Sequence, residues 1–362
     1  MGRISYDGVQ PGQLHETIIS HVNDAISHLP VDPQAIVAMT VAGNPTMRDL
    51  FFGLDVQTIG QRPYVSRTQI EMTAGSRSST AIWSDAASLH LTLSPQAVVY
   101  GLPLISNHVG ADIAAALCTI PVGQKNDPFM LVDIDTNTKV VIGDAVRLIC
   151  ASCPAGPAFE GGVLSCGMPA SAGAITALQR RNGGWRVSSI GSVPVRGVCG
   201  SGFVDILAEL RSSNEMDELG RFRGNLREVP INEASGLSFT RSDASELAQA
   251  KAANGVGQWA TLRRFGIDVS QLGTYYLAGA FGSKMNLANA RAIGLILPVP
   301  DERIVRLGNA SVEGAKVVLL SRACRDRIER LVRAFTHVEL EQEEDFFELF
   351  VEMAQFKELG LV

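Results

Sequence analysis

The sequence is poor in charge, in aromatic rings and in long apolar runs. Charged residues make up 19% of its 362 positions, against about 25% in an average soluble domain. The formal charge is −6, so the basic stripe that nucleic-acid binding requires is missing. No window reaches 18 consecutive apolar residues, the length a membrane-spanning helix needs. The opening stretch, MGRISYDGVQPGQ, has no apolar signal core. The expectation is a cytoplasmic protein with neither a nucleic-acid nor a membrane partner. Cysteines are few and badly spaced for metal. Cys150-x-x-Cys153 is the single close pair, with no second pair or His pair to complete a zinc site. The C-x4-C-x2-C spacing of a plant-type [2Fe–2S] site does not occur. Small, buried thiols are the plain reading of all six cysteines. There is no G-x-x-x-x-G-K-[ST] loop, and Gly197-x-x-Gly200-x-Gly202 is not in the G-x-G-x-x-G order, so P-loop and NAD-binding folds are unsupported.

What is abundant is glycine, 35 residues, within a chain that is 46% hydrophobic. At roughly 150 residues per domain, two domains or lobes are expected. Residues 13–29 place Leu14, Ile18, Ile19, Val22 and Ile26 at helical spacing. The runs 35–43 and 98–105 read as strands, and 60–80 as a loop. FMLVDI (129–134) and KVVIG (139–143) flank a hairpin turn. A glycine-rich turn at 195–202 precedes a helix whose face is Phe203, Val204, Ile206, Leu207 and Leu210. Residues 211–242 are polar and read as an insertion or a lobe connection, 242–266 as helix, 274–282 as a strand entering a Gly-x-x-Gly turn, and 341–356 as an acidic amphipathic helix. Val41-Ala42-Gly43-Asn44-Pro45-Thr46 is echoed by Arg306-Leu307-Gly308-Asn309-Ala310-Ser311, which suggests a duplicated α/β plan.

A strand that ends in a glycine turn and feeds a helix leaves backbone amides free for phosphate, with the helix dipole behind them. Glycine also lets the backbone approach a ligand without a Cβ clash. Four such junctions occur, at Gly110, Gly197 to Gly202, Gly279 to Gly282, and Gly308. Tight packing uses glycine in the same way, so each junction alone is compatible with either role. Asp133 closes the 129–134 strand, with Thr136 and Asn137 in the turn. A strand-end carboxylate can hold Mg²⁺ through water. A simple Asx turn accounts for it equally well.

Seven ordered segments carry a resemblance: VAGNPTM (41–47), HVGADIAAAL (108–117), LVDIDTNTKVVIG (131–143), CPAGPAFEGGVLSCGM (153–168), VRGVCGSGFVDILAEL (195–210), YYLAGAFG (275–282) and IVRLGNASVEGAKVVLLS (304–321). Together they resemble the C-terminal ATPase (ASKHA-type) domain of the reductive activators of corrinoid proteins. That resemblance implies an α/β, actin-like/ribonuclease H-like duplicated two-lobe ATPase fold with mixed five-stranded sheets. It places a first, N-terminally truncated lobe over 1–130 and a second lobe over 131–362. It implies ATP and Mg²⁺ as cofactors, a corrinoid protein and an iron–sulfur electron donor as partners, and is compatible with a homodimer. The [2Fe–2S] group would lie in a missing or separate domain. Family members use ATP to drive an electron from an iron–sulfur cluster onto Co(II) corrinoid, giving Co(I).

By the same resemblance Asp133, Thr136 and Asn137 match a phosphate-binding hairpin, with Asp133 toward the metal. Gly197, Cys199, Gly200, Ser201 and Gly202 match a turn near the nucleotide, and Gly279, Ala280, Phe281 and Gly282 an adenosine-side turn. Asp112 and Glu160 are the candidate catalytic carboxylates. Two departures stand out. The chain opens downstream of the family's first phosphate loop. In the hairpin, Asp135 stands where the family has a glycine close to phosphate, and Lys139 stands where it has an acid. A degenerate, non-catalytic scaffold or corrinoid-protein-binding module is therefore the alternative function. A small-molecule kinase on the same fold fits less well, because no sugar-side base is visible.

Overall fold

In the computed structural model, which describes residues 2–123, 127–181, 183–224 and 226–360, the chain passes between two units more than once. Unit 1 joins Met1–Gln124 to Asn309–Thr336, and unit 2 joins Lys125–Gly308 to His337–Val362. Residues 309–336, expected in a second lobe spanning 131–362, thus belong with the first part of the chain.

Unit 1 is built on three short strands, β1 (Ala38–Val41), β2 (Ile82–Asp85) and β3 (Val98–Gly101). β3 is central, parallel to β1 and antiparallel to β2. Helix Gln13–Ser27 buries Ile19 and Ile26 in the cluster that also holds Phe51, Phe52 and Val99. The reason 309–336 joins this unit is steric. Helices Ala111–Leu117 and Ala310–Leu320 touch backbone to backbone, and a β-carbon on Gly314 would lie 1.8 Å from the Ala115 carbonyl oxygen. The Thr40 hydroxyl donates to the Ala315 carbonyl at 3.0 Å, and the Tyr100 hydroxyl to Glu329 at 2.9 Å. The sequence echo is real as local structure. Asn44 caps helix Pro45–Phe51 by accepting from the Met47 amide, and Asn309 caps Ala310–Leu320 by accepting from the Val312 amide. Residues 60–80 are more ordered than a loop. Helix Arg67–Thr73 starts at a Ser66/Gln69 capping box. Ser66 and Thr68 join the Arg48–Asp49 pair in a fully buried polar network.

Unit 2 is organised by β4 (Phe129–Asp133), β5 (Thr138–Gly143) and β6 (Leu148–Cys153), which form an antiparallel meander. A small sheet follows, made of β7 (Ala174–Arg181), β8 (Gly184–Ser189) and β9 (Gly197–Val198). The polar stretch 211–242 holds a hairpin, β10 (Glu228–Asn232) and β11 (Leu237–Thr240). β12 (Thr274–Ala278) lies parallel to β4, and β13 (Ile304–Gly308) parallel to β12. With β14 (Phe335–His337), which straddles the chain boundary of the units at 336/337, the main sheet runs β13-β12-β4-β5-β6-β14. It carries one strand more than the expected five because β14 adds at an edge, whereas unit 1 has three. Residues 129–132 are all buried, which explains why FMLV is a continuous apolar run rather than an alternating one. Helix Arg241–Phe265 reaches the sheet at a glycine. A β-carbon on Gly257 would lie 2.0 Å from the Cys153 sulfur.

The same helix buries Lys251 completely. Its ammonium donates to the carbonyls of Met353 and Gln355, both at 2.6 Å, so it satisfies the C-terminal end of helix Phe346–Met353. Burial pushes the Lys251 pKa down to about 7. The folded value lies below the ordinary 10.5, so between these limits the unfolded chain holds a proton that the folded chain does not. Stability should therefore rise as the pH increases from about 7 toward 10.5. In urea unfolding followed across that range, Lys251→Met should flatten this rise relative to the unmodified protein. It should also cost about 1–3 kcal/mol at neutral pH by stranding two carbonyls. Identical pH profiles for the two proteins would contradict this role.

Candidate functional site

The site grows from the end of β4. Asp133 faces Lys139 across the antiparallel ladder and Ala278 across the parallel one, so strands on both sides fix its backbone. The chain then turns through Ile134 to Asn137, as the sequence predicts. Asp135 caps its own turn, accepting from the Thr136 amide at 2.9 Å. Lys139 is buried and donates to the Asn137 carbonyl at 2.8 Å, bracing the turn from beneath. The Gly156 amide donates to the Thr136 carbonyl at 2.8 Å, which docks the turn onto the segment after β6. The Thr136 hydroxyl donates to the Glu160 carboxylate. Burial, and after it the neighbouring Asp135 carboxyl, raise the Glu160 pKa above the usual carboxylate range. Two carboxyl groups and a hydroxyl therefore share the tip, where Asp135 and Asn137 are exposed.

The glycine turns close on this hairpin. Gly279 adopts φ 90°, and a β-carbon there would lie 2.8 Å from Asp133 Oδ1. Its amide donates to the Gly308 carbonyl at 2.9 Å. The short helix Ala280–Lys284 follows, with Gly282 pressed against the Leu277 side chain. The Phe281 ring meets the Phe159 ring at 5.3 Å between centroids. Gly200 lies under both: a β-carbon there would be 2.0 Å from the Phe159 carbonyl oxygen and 2.7 Å from the Phe281 ring. The structure thus joins Asp133, Thr136, Glu160, Gly200, Gly279 and Phe281 into one corner of unit 2.

The remaining candidates sit differently. Gly197 and Gly202 admit close approach by the carbonyls of Cys166 and Ile175. Cys199 precedes helix Gly200–Ser212, and its amide donates to the Ile175 carbonyl at 3.0 Å. Its sulfur lies 3.4 Å from the Ser201 hydroxyl, which itself donates to the Thr176 carbonyl at 2.8 Å. The Cys199 amide and the Ser201 hydroxyl thus tie the start of the helix to β7. Asp112 belongs to unit 1. It accepts from the Ile113 amide at 2.9 Å through Oδ1, while its carbonyl accepts from the Ser311 hydroxyl at 2.9 Å. The six cysteines are buried and unbridged. Among the described residues no three His, Cys, Asp or Glu side chains cluster as a protein-only metal site. A Mg²⁺ ion held chiefly by phosphates and water needs only one or two carboxylates, a role open to Asp133. Sequence reasoning missed the Phe159 platform and the Asp135–Glu160 contact. The Ala-Phe-Glu segment of 153–168 has no periodicity that would have flagged either.

The family models extend over both halves of the chain. Residues 127–361 match the C-terminal domain of RACo, described as the ASKHA domain, and residues 1–125 match the RACo middle region. The chain belongs to the RACo family. Its RACo relatives include the "Corrinoid activation enzyme RamQ" of Eubacterium limosum, 28% identical over 98% of this chain and 63% of that protein. A second is the "[Co(II) methylated amine-specific corrinoid protein] reductase" of Methanosarcina barkeri, 23% identical over 89% of this chain and 63% of that protein. A solved "Reductive activator for corrinoid,iron-sulfur protein" superposes with a TM-score of 0.86 at 26% identity, covering 99% of this chain and 60% of that one. The chain thus spans about three fifths of the length of these relatives. The α/β ASKHA fold expected from the seven segments is the fold of the RACo C-terminal domain found here.

Two substitutions test the corner. Gly200→Ala drives a methyl group into the Phe159 carbonyl, which a neighbouring backbone cannot yield to cheaply. It should cost on the order of 3 kcal/mol in denaturant unfolding; a loss below about 0.5 kcal/mol would mean the packing is misread. Asp135→Gly removes the like charge beside Glu160, so the Glu160 pKa should fall in a carboxyl NMR titration. An unchanged or higher value would disprove the contact.

Proposed function

We propose that unit 2 binds Mg-ATP at the corner formed by the β4–β5 turn, Phe159–Glu160, Gly200 and the 279–282 turn. We further propose that the chain activates a corrinoid protein by ATP-coupled reduction. The observation that carries this reading is the junction of four separate segments on Asp133 and Phe159, in the part of the chain matched by an ASKHA-domain model. The relatives' names, a corrinoid activation enzyme and a corrinoid-protein reductase, support the partner. In this scheme one electron passes from an iron–sulfur donor carried outside this chain to Co(II), giving Co(I). Nucleotide supplies free energy rather than electrons. It would favour one arrangement of the protein and so alter its affinity for the corrinoid partner. In the corner, Thr136 and the turn amides would orient phosphate oxygens, and Asp133 would hold a metal-bound water. The Phe159 and Phe281 rings would form an apolar wall beside Gly200. Glu160 keeps its proposed place as a carboxylate for metal or water in unit 2, and the proposal for this corner does not use Asp112, which lies in unit 1.

The residues fit this group on one condition. Asp135 and Glu160 put up to two negative charges where phosphate would approach, so Mg²⁺ or a proton on Glu160 must reduce the repulsion. Its raised pKa makes Glu160 the group that takes the proton. The same pair favours a second reading, a homologue that keeps the fold and the partner but not the ATPase.

Calorimetric titration with Mg-ATP separates the two. Saturable binding is expected, tightened about tenfold by Asp135→Gly, on the order of 1.4 kcal/mol. No heat at millimolar nucleotide, with or without that substitution, would leave the non-catalytic reading standing.

A further inference from the structure

A concave site lies in unit 2, at the C-terminal end of helix Arg241–Phe265, and none of the corner residues lines it. It encloses about 430 Å³. Its apolar lining comes from Trp259, Leu262, Ile267 and Leu349, and its carboxylates are Asp268, Asp345, Glu348 and Glu352. Arg263 is the cation in this lining, and it is already committed to Asp345 at 2.5 Å and Glu343 at 2.8 Å. Lys357 reaches Glu352 loosely, at 3.7 Å. Asp268 and Glu348 are exposed and have no cationic partner among the described ion pairs. A half-buried indole beside unpaired carboxylates suits the head and stem of a lysine or arginine side chain.

The surface next to the cavity says what carries that side chain. Phe347 is 77% exposed and Val351 55% exposed. They stand one row round helix Phe346–Met353 from Glu348 and Glu352, four residues apart and on one face. A free amine or a small organic cation would fill the cavity and leave this stripe in water. A protein segment with a basic residue for the cavity and apolar residues beside it would cover both. We propose that this surface docks a basic amphipathic segment of a partner protein. Burial of the stripe would supply contact area, and the unpaired carboxylates would supply register and salt-sensitive steering. The proposal does not depend on nucleotide binding at the other corner.

A fluorescein-labelled Leu/Lys amphipathic peptide of 14 residues is the probe, read by fluorescence anisotropy with the whole chain at low and at physiological salt. Saturable binding is expected in the range of tens of micromolar, weakening as salt rises. The double substitution Asp268→Lys/Glu348→Lys should weaken it at least tenfold, and Phe347→Ser about fivefold. All three positions are exposed, and unchanged thermal melts would show that the variants fold. A Leu/Glu peptide of the same pattern should not bind. Three results would overturn the proposal. One is no saturation below about 1 mM; another is equal affinity for the unmodified and substituted chains. The third is competition by n-butylammonium or hexalysine as effective as that by unlabelled Leu/Lys peptide, which would reassign the cavity to a free cation or to charge alone.

Discussion

A β-carbon at position 200 would sit 2.0 Å from the Phe159 carbonyl oxygen, and one at position 279 would sit 2.8 Å from Asp133 Oδ1. These two absent atoms let the start of helix Gly200–Ser212 close on Phe159 and Phe281, and the end of β12 close on the end of β4. With side chains there, these segments would have to separate, and the Phe159–Phe281 contact would go with them. Backbone approach of this kind is what a phosphate site requires, and it is also what dense packing requires. At this corner the close packing is observed, and the phosphate role is the one proposed for it. Gly197 and Gly202 answer to packing against carbonyls, while Gly279 combines a left-handed φ with a position beside the strand-end carboxylate.

Charge is the second constraint. Lys139, buried beside the hairpin, donates to the Asn137 carbonyl and so helps hold the turn's shape. Asp135 and Glu160 then confront each other across Thr136, and the pair resolves the repulsion by raising the Glu160 pKa. Two other buried cations, Arg48 and Lys251, are likewise held by acceptors. Arg48 donates to Asp49, Thr68 and the carbonyls of Thr80 and Leu102. Lys251 donates to two carbonyls at a helix end. Such groups add little net stability but leave few alternative packings open.

Much of the corner is legible in the sequence because its signals are local. FMLVDI, a four-residue turn and KVVIG can hardly be other than a hairpin, and YYLAGAFG and VRGVCGSG announce strand-to-helix turns. The Asn44 and Asn309 echo is likewise local, since an N-cap acts within three residues. What escapes is decided at long range. Glu160 meets Thr136 from 24 positions away, and Lys251 finds its carbonyls more than 100 positions on. Residues 309–336 join unit 1 through contacts such as Ser311 with Asp112, 199 positions apart. No periodicity encodes these. The 60–80 segment fails for a different reason: its helix, Arg67–Thr73, is too short to show a 3.6-residue pattern, and only the Ser66/Gln69 box marks its start.

The central claim, that the turns of unit 2 cradle a triphosphate, is tested most directly by amide hydrogen exchange with and without saturating Mg-ATP. The account predicts slowed exchange in 134–137, 156–161 and 279–282, with the stretch 266–269 and helix Phe346–Met353 unchanged. Protection confined to segments outside that corner, or none at saturating nucleotide, would contradict it.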